Sequence, residues 1–142
     1  MLKQLSVFIE NKRGRLTDVV ELLGEGGINI RAMSLADTTD FGVLRLIVND
    51  PPKARDILKD AKYTVKITDV LAVEIPDEAG SLAGVLRIIR DSDIIIQYMY
   101  AFLGNRDNGA LVILKCDDAQ KAVQLLEQNQ ITVVDAETVY QL

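Results

Sequence analysis

The 142-residue chain has no histidine and no tryptophan, one cysteine and three prolines, and aromatic residues make up only 5% of it. Without histidine, the commonest general acid–base and metal ligand is missing. Cys116 therefore has no histidine to activate it, and no Ser-His-Asp set, P-loop or metal-spaced cluster exists. These absences argue against an enzyme and against a metal or cofactor. A single cysteine also excludes an intramolecular disulfide framework, so Cys116 reads as a small packing residue. No apolar run approaches the ~20 residues that span a bilayer, and the start, Met1-Leu2-Lys3-Gln4-Leu5, lacks the apolar stretch of a signal peptide. A cytoplasmic protein with no membrane segment is the expectation. With 16 basic and 21 acidic residues the net charge is −5, which disfavours a phosphate-tracking surface and hence nucleic acid.

What is present is one pattern written twice. Val7-Phe8-Ile9-Glu10, Gly14-Arg15-Leu16 and Gly26-Gly27-Ile28-Asn29-Ile30 return as Val73-Glu74-Ile75-Pro76, Gly80-Ser81-Leu82 and Asp93-Ile94-Ile95-Ile96. The shift is constant (80 − 14 = 66, 96 − 30 = 66), and a repeat this long is a whole small domain. The spacing predicts domains at 1–68 and 69–142, separated only by Thr68-Asp69, each small enough to be marginal alone.

Leu5, Val7 and Ile9, like Leu71, Val73 and Ile75, alternate as in a half-buried strand. Leu16, Val19, Val20 and Leu23, repeated by Leu82, Val85, Leu86 and Ile89, form the stripe of an amphipathic helix. Second strands are predicted from Ile28 and Ile94 to near Asp37 and Leu103, with Met33, Leu35 and Asp37 sharing a side with Asn29 and Arg31. Turns at Thr38 to Gly42 and Gly104 to Gly109 lead to third strands, and the longer second turn moves the shift to 67. Helices follow Asp50-Pro51-Pro52 and Asp117-Asp118. Short strands at Tyr63 to Ile67 and Ile131 to Val134 close each copy, and Val139-Tyr140 reads as an extra edge piece. Strand, helix, strand, strand, helix, strand in both halves predicts an α+β fold: two ferredoxin-like βαββαβ domains in tandem, each a four-stranded antiparallel sheet with helices on one face. Apolar residues on both sides of the second strand in copy two, Tyr98, Tyr100 and Phe102 against Ile95, Met99, Ala101 and Leu103, imply that part of its open face is covered by the other copy or a second chain.

These residues resemble the ACT domain, a regulatory amino-acid-binding module. Its pattern is a first strand ending in an acidic or amide residue, a short loop whose glycine opens the first helix, a leucine just after, and a second strand starting with an Asn-Ile type pair. Asp77-Glu78-Ala79-Gly80-Ser81-Leu82 is close to that loop, with Ala79 where proline is common, and Gly26-Gly27-Ile28-Asn29-Ile30 matches the strand start. The resemblance covers essentially the whole chain. Copy one departs in its basic loop, Asn11-Lys12-Arg13-Gly14-Arg15-Leu16, and copy two in Ile95 at the place of Asn29.

In ACT proteins the ligand often lies between two domains, touching the loop of one and the strand start of the other. The resemblance thus implies a zwitterion site from Asp77, Glu78, Ala79, Gly80, Ser81 and Leu82 with Asn29 and Ile30. A glycine loop opening a helix offers N–H groups to a carboxylate, and Asp77 can accept from an ammonium. A weaker site, suited to an anion or to no ligand, would combine Asn11, Arg13, Gly14, Arg15 and Leu16 with Ile95 and Ile96. Bland readings stand beside these: Gly14 and Gly80 as turn glycines, Asp77 as a helix-cap residue, Asn29 as a turn end, and Lys12, Arg13 and Arg15 as a solvated face. The implied function is an amino-acid-binding regulatory protein, with no catalysis, acting as a homodimer on an enzyme or transcription factor. The alternative is an interaction module that has lost ligand binding.

Overall fold

Leu5, Val7 and Ile9, and the stripe from Leu16 to Leu23, become a strand and a helix in the computed structural model, which describes residues 1–37, 39–102 and 109–142. In chain order the elements are β1 (Leu2–Glu10), α1 (Arg15–Glu25), β2 (Ile30–Asp37), β3 (Phe41–Val48), α2 (Pro51–Asp60), β4 (Thr64–Pro76), α3 (Ser81–Arg90), β5 (Ile96–Ala101), β6 (Gly109–Cys116), α4 (Ala119–Gln128), β7 (Thr132–Val134) and α5 (Ala136–Tyr140). Two compact units result: Lys3–Thr68 with Tyr140–Leu142, and Asp69–Val139 with Met1–Leu2. The connection between the repeats is strand rather than loop, because β4 is unbroken from Thr64 to Pro76.

Each unit has the βαββαβ order of a ferredoxin-like α+β fold. In the Lys3–Thr68 unit the strands run β2-β3-β1-β4, and in the Asp69–Val139 unit β5-β6-β4-β7. Helices cover one face of each. Val19 and Leu23 of α1, with Ala54 and Leu58 of α2, pack on Leu5, Val7, Leu44 and Leu46. Their counterparts are Val85, Ile89, Ala122 and Leu126 on Leu71, Val73, Val112 and Leu114. Each such leucine stabilises its unit by roughly 1.5–3 kcal/mol through removal from water. Cys116 is buried in the second cluster, where desolvation first and the neighbouring Asp117 charge second push its thiol pKa up. Asp50 and Asp118 cap α2 and α4 by accepting from the Lys53 and Lys121 N–H groups at 3.2 and 3.1 Å.

Four expectations need correction. The second strands begin at Ile30 and Ile96, two residues later than the apolar runs suggest, because the Asn29 and Ile95 N–H groups donate to the side chains of Asn49 (2.8 Å) and Asp117 (2.9 Å). Both strands then carry a register irregularity, between Ile30 and Ala32 and between Ile96 and Tyr98. This bulge puts Ile30 opposite Val48, on the helix side with Met33 opposite Leu46, against the simple alternation. The third strands correspond at a shift of 68, not 67: Glu10 pairs with Phe41 and Pro76 with Gly109, and 109 − 41 = 68. Gly109 therefore occupies the register place of Phe41, where a Cβ would lie 2.8 Å from the Ile75 carbonyl oxygen. Finally, Val139-Tyr140 ends a helix rather than adding an edge strand, since Asp135 accepts from the Thr138 N–H and hydroxyl at 3.0 and 2.7 Å and so starts α5.

The opposite sheet faces are buried at Ala32 and Ile47, and at Ala72, Leu111 and Ile113. In β5, Tyr98 and Tyr100 are half-buried, whereas Ile95 and Met99 stay exposed in the single chain. The expected strand end at Leu103, the turn from Gly104 to Asn108 and Thr38 of the first turn lie outside the described residues.

Candidate functional site

The two glycine-opened loops fold alike. Gly14 and Gly80 are the N-caps of α1 and α3, at φ +85° and +90°. A Cβ on either would meet no atom within 4 Å, so the requirement for glycine is conformational and not one of space. Arg15 N–H donates to the Lys12 carbonyl at 3.2 Å and Ser81 N–H to the Glu78 carbonyl at 3.3 Å. With glycine at each cap, no side chain among the described residues caps the first N–H groups of the helix. Asp77 is thus not a cap; it is exposed in the loop with Glu78, Ala79 and Gly80. Ser81 and Leu82 are half-buried in the first turn of α3, Leu82 against the core.

In the Lys3–Thr68 unit the loop residues Asn11, Arg13, Gly14 and Arg15 are exposed and Leu16 packs on the core. Asn29 is exposed and precedes β2; its side-chain amide makes no hydrogen bond to the described residues, while its carbonyl accepts from the Asn49 N–H at 3.1 Å. The side chains of Ile30 and Ile96 are partly buried against their own cores, and Ile95 is exposed.

Among the described residues, each unit has a cavity at a matching place: the end of the first strand, the start of the first helix and the start of the last strand. In the Asp69–Val139 unit a cavity of about 590 Å³ is lined by Glu74, Pro76, Ser81, Gln130, Ile131 and Thr132, among others. In the Lys3–Thr68 unit a cavity of about 330 Å³ is lined by Phe8, Glu10, Arg15, Phe41, Lys62 and Tyr63, among others. Of the predicted site residues only Ser81 and Arg15 line these cavities. Sequence reasoning missed the contribution from beyond the second helix, where Lys62 and Gln130 hold positive φ values of 71° and 61°. The two are equivalent positions, 130 − 62 = 68, the shift of the preceding helix caps, but that equivalence does not point to a cavity.

The two linings differ in charge. Glu10 is ion-paired with Lys12 at 3.0 Å, and that hydrogen bond, with the charges of Lys12 and then Arg15, holds its carboxyl below the ordinary range. Arg15 is 3.9 Å from Glu10 and 4.0 Å from Asp18. In the other cavity Ser81 and Gln130 occupy the places of Arg15 and Lys62. Among the described residues no group of three or more cysteine or acidic side chains is placed to hold a metal ion, and no helix is long and apolar enough to cross a membrane.

Comparison with known proteins agrees with this architecture. The family model for the ACT domain pair matches residues 1–142, and the chain belongs to that family. Protein BT0572 from Bacteroides thetaiotaomicron is 40% identical, with a TM-score of 0.93 over 99% of this chain and 96% of that one. The ligand-free regulatory subunit of aspartate kinase from Thermus thermophilus shares the fold at a TM-score of 0.66 and 16% identity, over 89% and 91% of the two chains. The acetolactate synthase isozyme 3 small subunit of Escherichia coli is 33% identical over 89 residues, 63% of this chain and 53% of that protein. The acetolactate synthase small subunit of Buchnera aphidicola is 35% identical over 75 residues, 52% of this chain and 47% of that protein. The chain spans about half the length of the curated relatives it matches.

Proposed function

We propose that this ACT domain pair is a non-catalytic, amino-acid-responsive regulatory protein that acts on a biosynthetic enzyme. The amino acid is held between ACT domains by the loop from Asp77 to Leu82 and by Asn29 and Ile30. The observation that carries this reading is the pair of helix starts capped by positive-φ glycines, which leave N–H groups unspent at the places where the family's pattern falls. The unspent Asn29 amide supports it, since it can both donate and accept. Relatives described as a regulatory or a small subunit support an enzyme partner. The amino acid regulates by binding one arrangement of domains or chains more tightly than another, and assembly as a homodimer provides such arrangements.

Thermal unfolding against each of the twenty amino acids at millimolar concentration tests this. A ligand at a hundred times its Kd stabilises the native state by about 2.7 kcal/mol. The expected result is a selective rise in Tm that disappears in Asn29→Ala and in Asp77→Ala. No rise with any amino acid, for protein freed of carried-over ligand, would replace this reading with an interaction module that has lost ligand binding.

A further inference from the structure

The cavity of the Lys3–Thr68 unit carries a charge balance that its counterpart lacks. Its only carboxylate on the lining, Glu10, is already matched by Lys12 at 3.0 Å. Arg15 lies 3.9 and 4.0 Å from its nearest carboxylate oxygens, beyond hydrogen-bond length, so its donors remain available. Lys62 has no carboxylate within ion-pair distance among the described residues. Its backbone is fixed at φ +71° by the end of α2, where Lys62 N–H donates to the Lys59 carbonyl at 2.9 Å and Tyr63 N–H to the Leu58 carbonyl at 3.0 Å. Such a helix-end position favours glycine, yet here it holds a lysine that lines the cavity. Phe8 and Phe41, 42% and 55% exposed, supply uncovered apolar surface beside these cations.

We propose that this cavity binds a small organic anion of the 2-oxo acid type, a carboxylate with an adjacent oxygen acceptor and a compact apolar side chain. Arg15 and Lys62 hold the oxygens, and Phe8 and Phe41 cover the side chain. A cavity of about 330 Å³ is at the small end of ligand sites, which suits a metabolite-sized body. Acceptor oxygens fit best, because Glu10 is spent on Lys12 and an ammonium would face Arg15, with its hydrogen-bond donors unspent, and Lys62, with no carboxylate beside it among the described residues. The counterpart cavity is an internal control: Glu74, Ser81 and Gln130 stand where Phe8, Arg15 and Lys62 stand here, so it presents a carboxylate and no cation. This inference goes beyond the amino-acid reading and does not depend on it.

Calorimetric titration of the full chain with 4-methyl-2-oxopentanoate, and in parallel with leucine, tests it. The oxo acid is expected to bind saturably and at least tenfold more tightly than leucine at this cavity. Lys62→Asn, which tolerates positive φ, and Arg15→Gln should each weaken it at least tenfold with the unliganded Tm unchanged, whereas Gln130→Ala should leave it as in the wild type. Absence of saturable binding, binding kept by both variants, or equal loss in Gln130→Ala would overturn the inference. Loss in Asn29→Ala of whichever amino acid the unfolding screen selects reports on the amino-acid site, and oxo acid binding lost in Lys62→Asn reports on this one, so each reading falls separately.

Discussion

At the approach to the second strand, the two ACT domains shape the same backbone with different residues. Asn29 N–H donates to the Asn49 side chain in one domain, and Ile95 N–H donates to the Asp117 side chain in the other. Two residues earlier they part. Asp93 forms an ion pair with Lys121, whereas the corresponding Gly27, at φ +76°, offers Lys53 no carboxylate, and a Cβ there would lie 3.8 Å from the Lys53 amine. The acidic copy closes its strand start with charge; the other leaves a lysine and the Asn29 amide unspent among the described residues. Duplication kept the hydrogen bonds that hold the backbone and released the side chains, which is where the repeats acquire separate chemistry.

The comparison can be broken most forcefully in the cores. Leu58 and Leu126 are equivalent (126 − 58 = 68) and both fully buried. Alanine at either should cost about 2–5 kcal/mol, read from urea unfolding. A cost below about 1 kcal/mol at one site alone would show that the second helices are not energetic equivalents. A smaller effect is expected at the caps. Gly14→Ala and Gly80→Ala should each cost ~1 kcal/mol, from backbone strain alone, because no atom obstructs either Cβ. Unequal urea midpoints would reveal a demand on one loop that its φ does not express.

The smallest effect is electrostatic. The hydrogen bond to Lys121 lowers the Asp93 pKa, and the same bond raises that of Lys121. The contribution of Asp93 is therefore present above the ordinary aspartate range and lost as pH falls through its lowered pKa; that of Lys121 is present below the ordinary lysine range and lost as pH rises through its raised pKa. Both groups are exposed, so the change is slight. Asp93→Asn should flatten the acid limb of a Tm-against-pH series, and Gly27→Asp should steepen it by giving Lys53 a partner. An acid limb unchanged by Asp93→Asn would remove the ion pair from the comparison.

The strands, helices and repeat were legible because apolar periodicity reflects burial on one face, as at Leu5, Val7 and Ile9 and at Val19 and Leu23. The bulges beyond Ile30 and Ile96 were not, since a bulge changes which residue opposes which while leaving composition untouched. Gly42 and Gly109 misled in the same way. They look equivalent in sequence, yet the ladder puts Gly109 opposite Pro76 and makes it the counterpart of Phe41. Of the candidate site, the loops from Asn11 and Asp77 were readable from their glycines. Lys62, Tyr63, Gln130 and Ile131 were not, because they reach the cavities from some fifty residues further along the chain.

By itself the sequence determined the class of fold, the duplication, the lack of histidine and the positions of the glycine caps, all of which follow from local periodicity and residue type. Only the tertiary structure decided the register of the third strands, the helix at the C-terminus and the pairing of Arg15 with Lys62 around a cavity lined by Phe8 and Phe41. The physical reason is that these depend on which non-local backbone groups meet across a sheet, and many ladders are compatible with the same alternation of apolar residues.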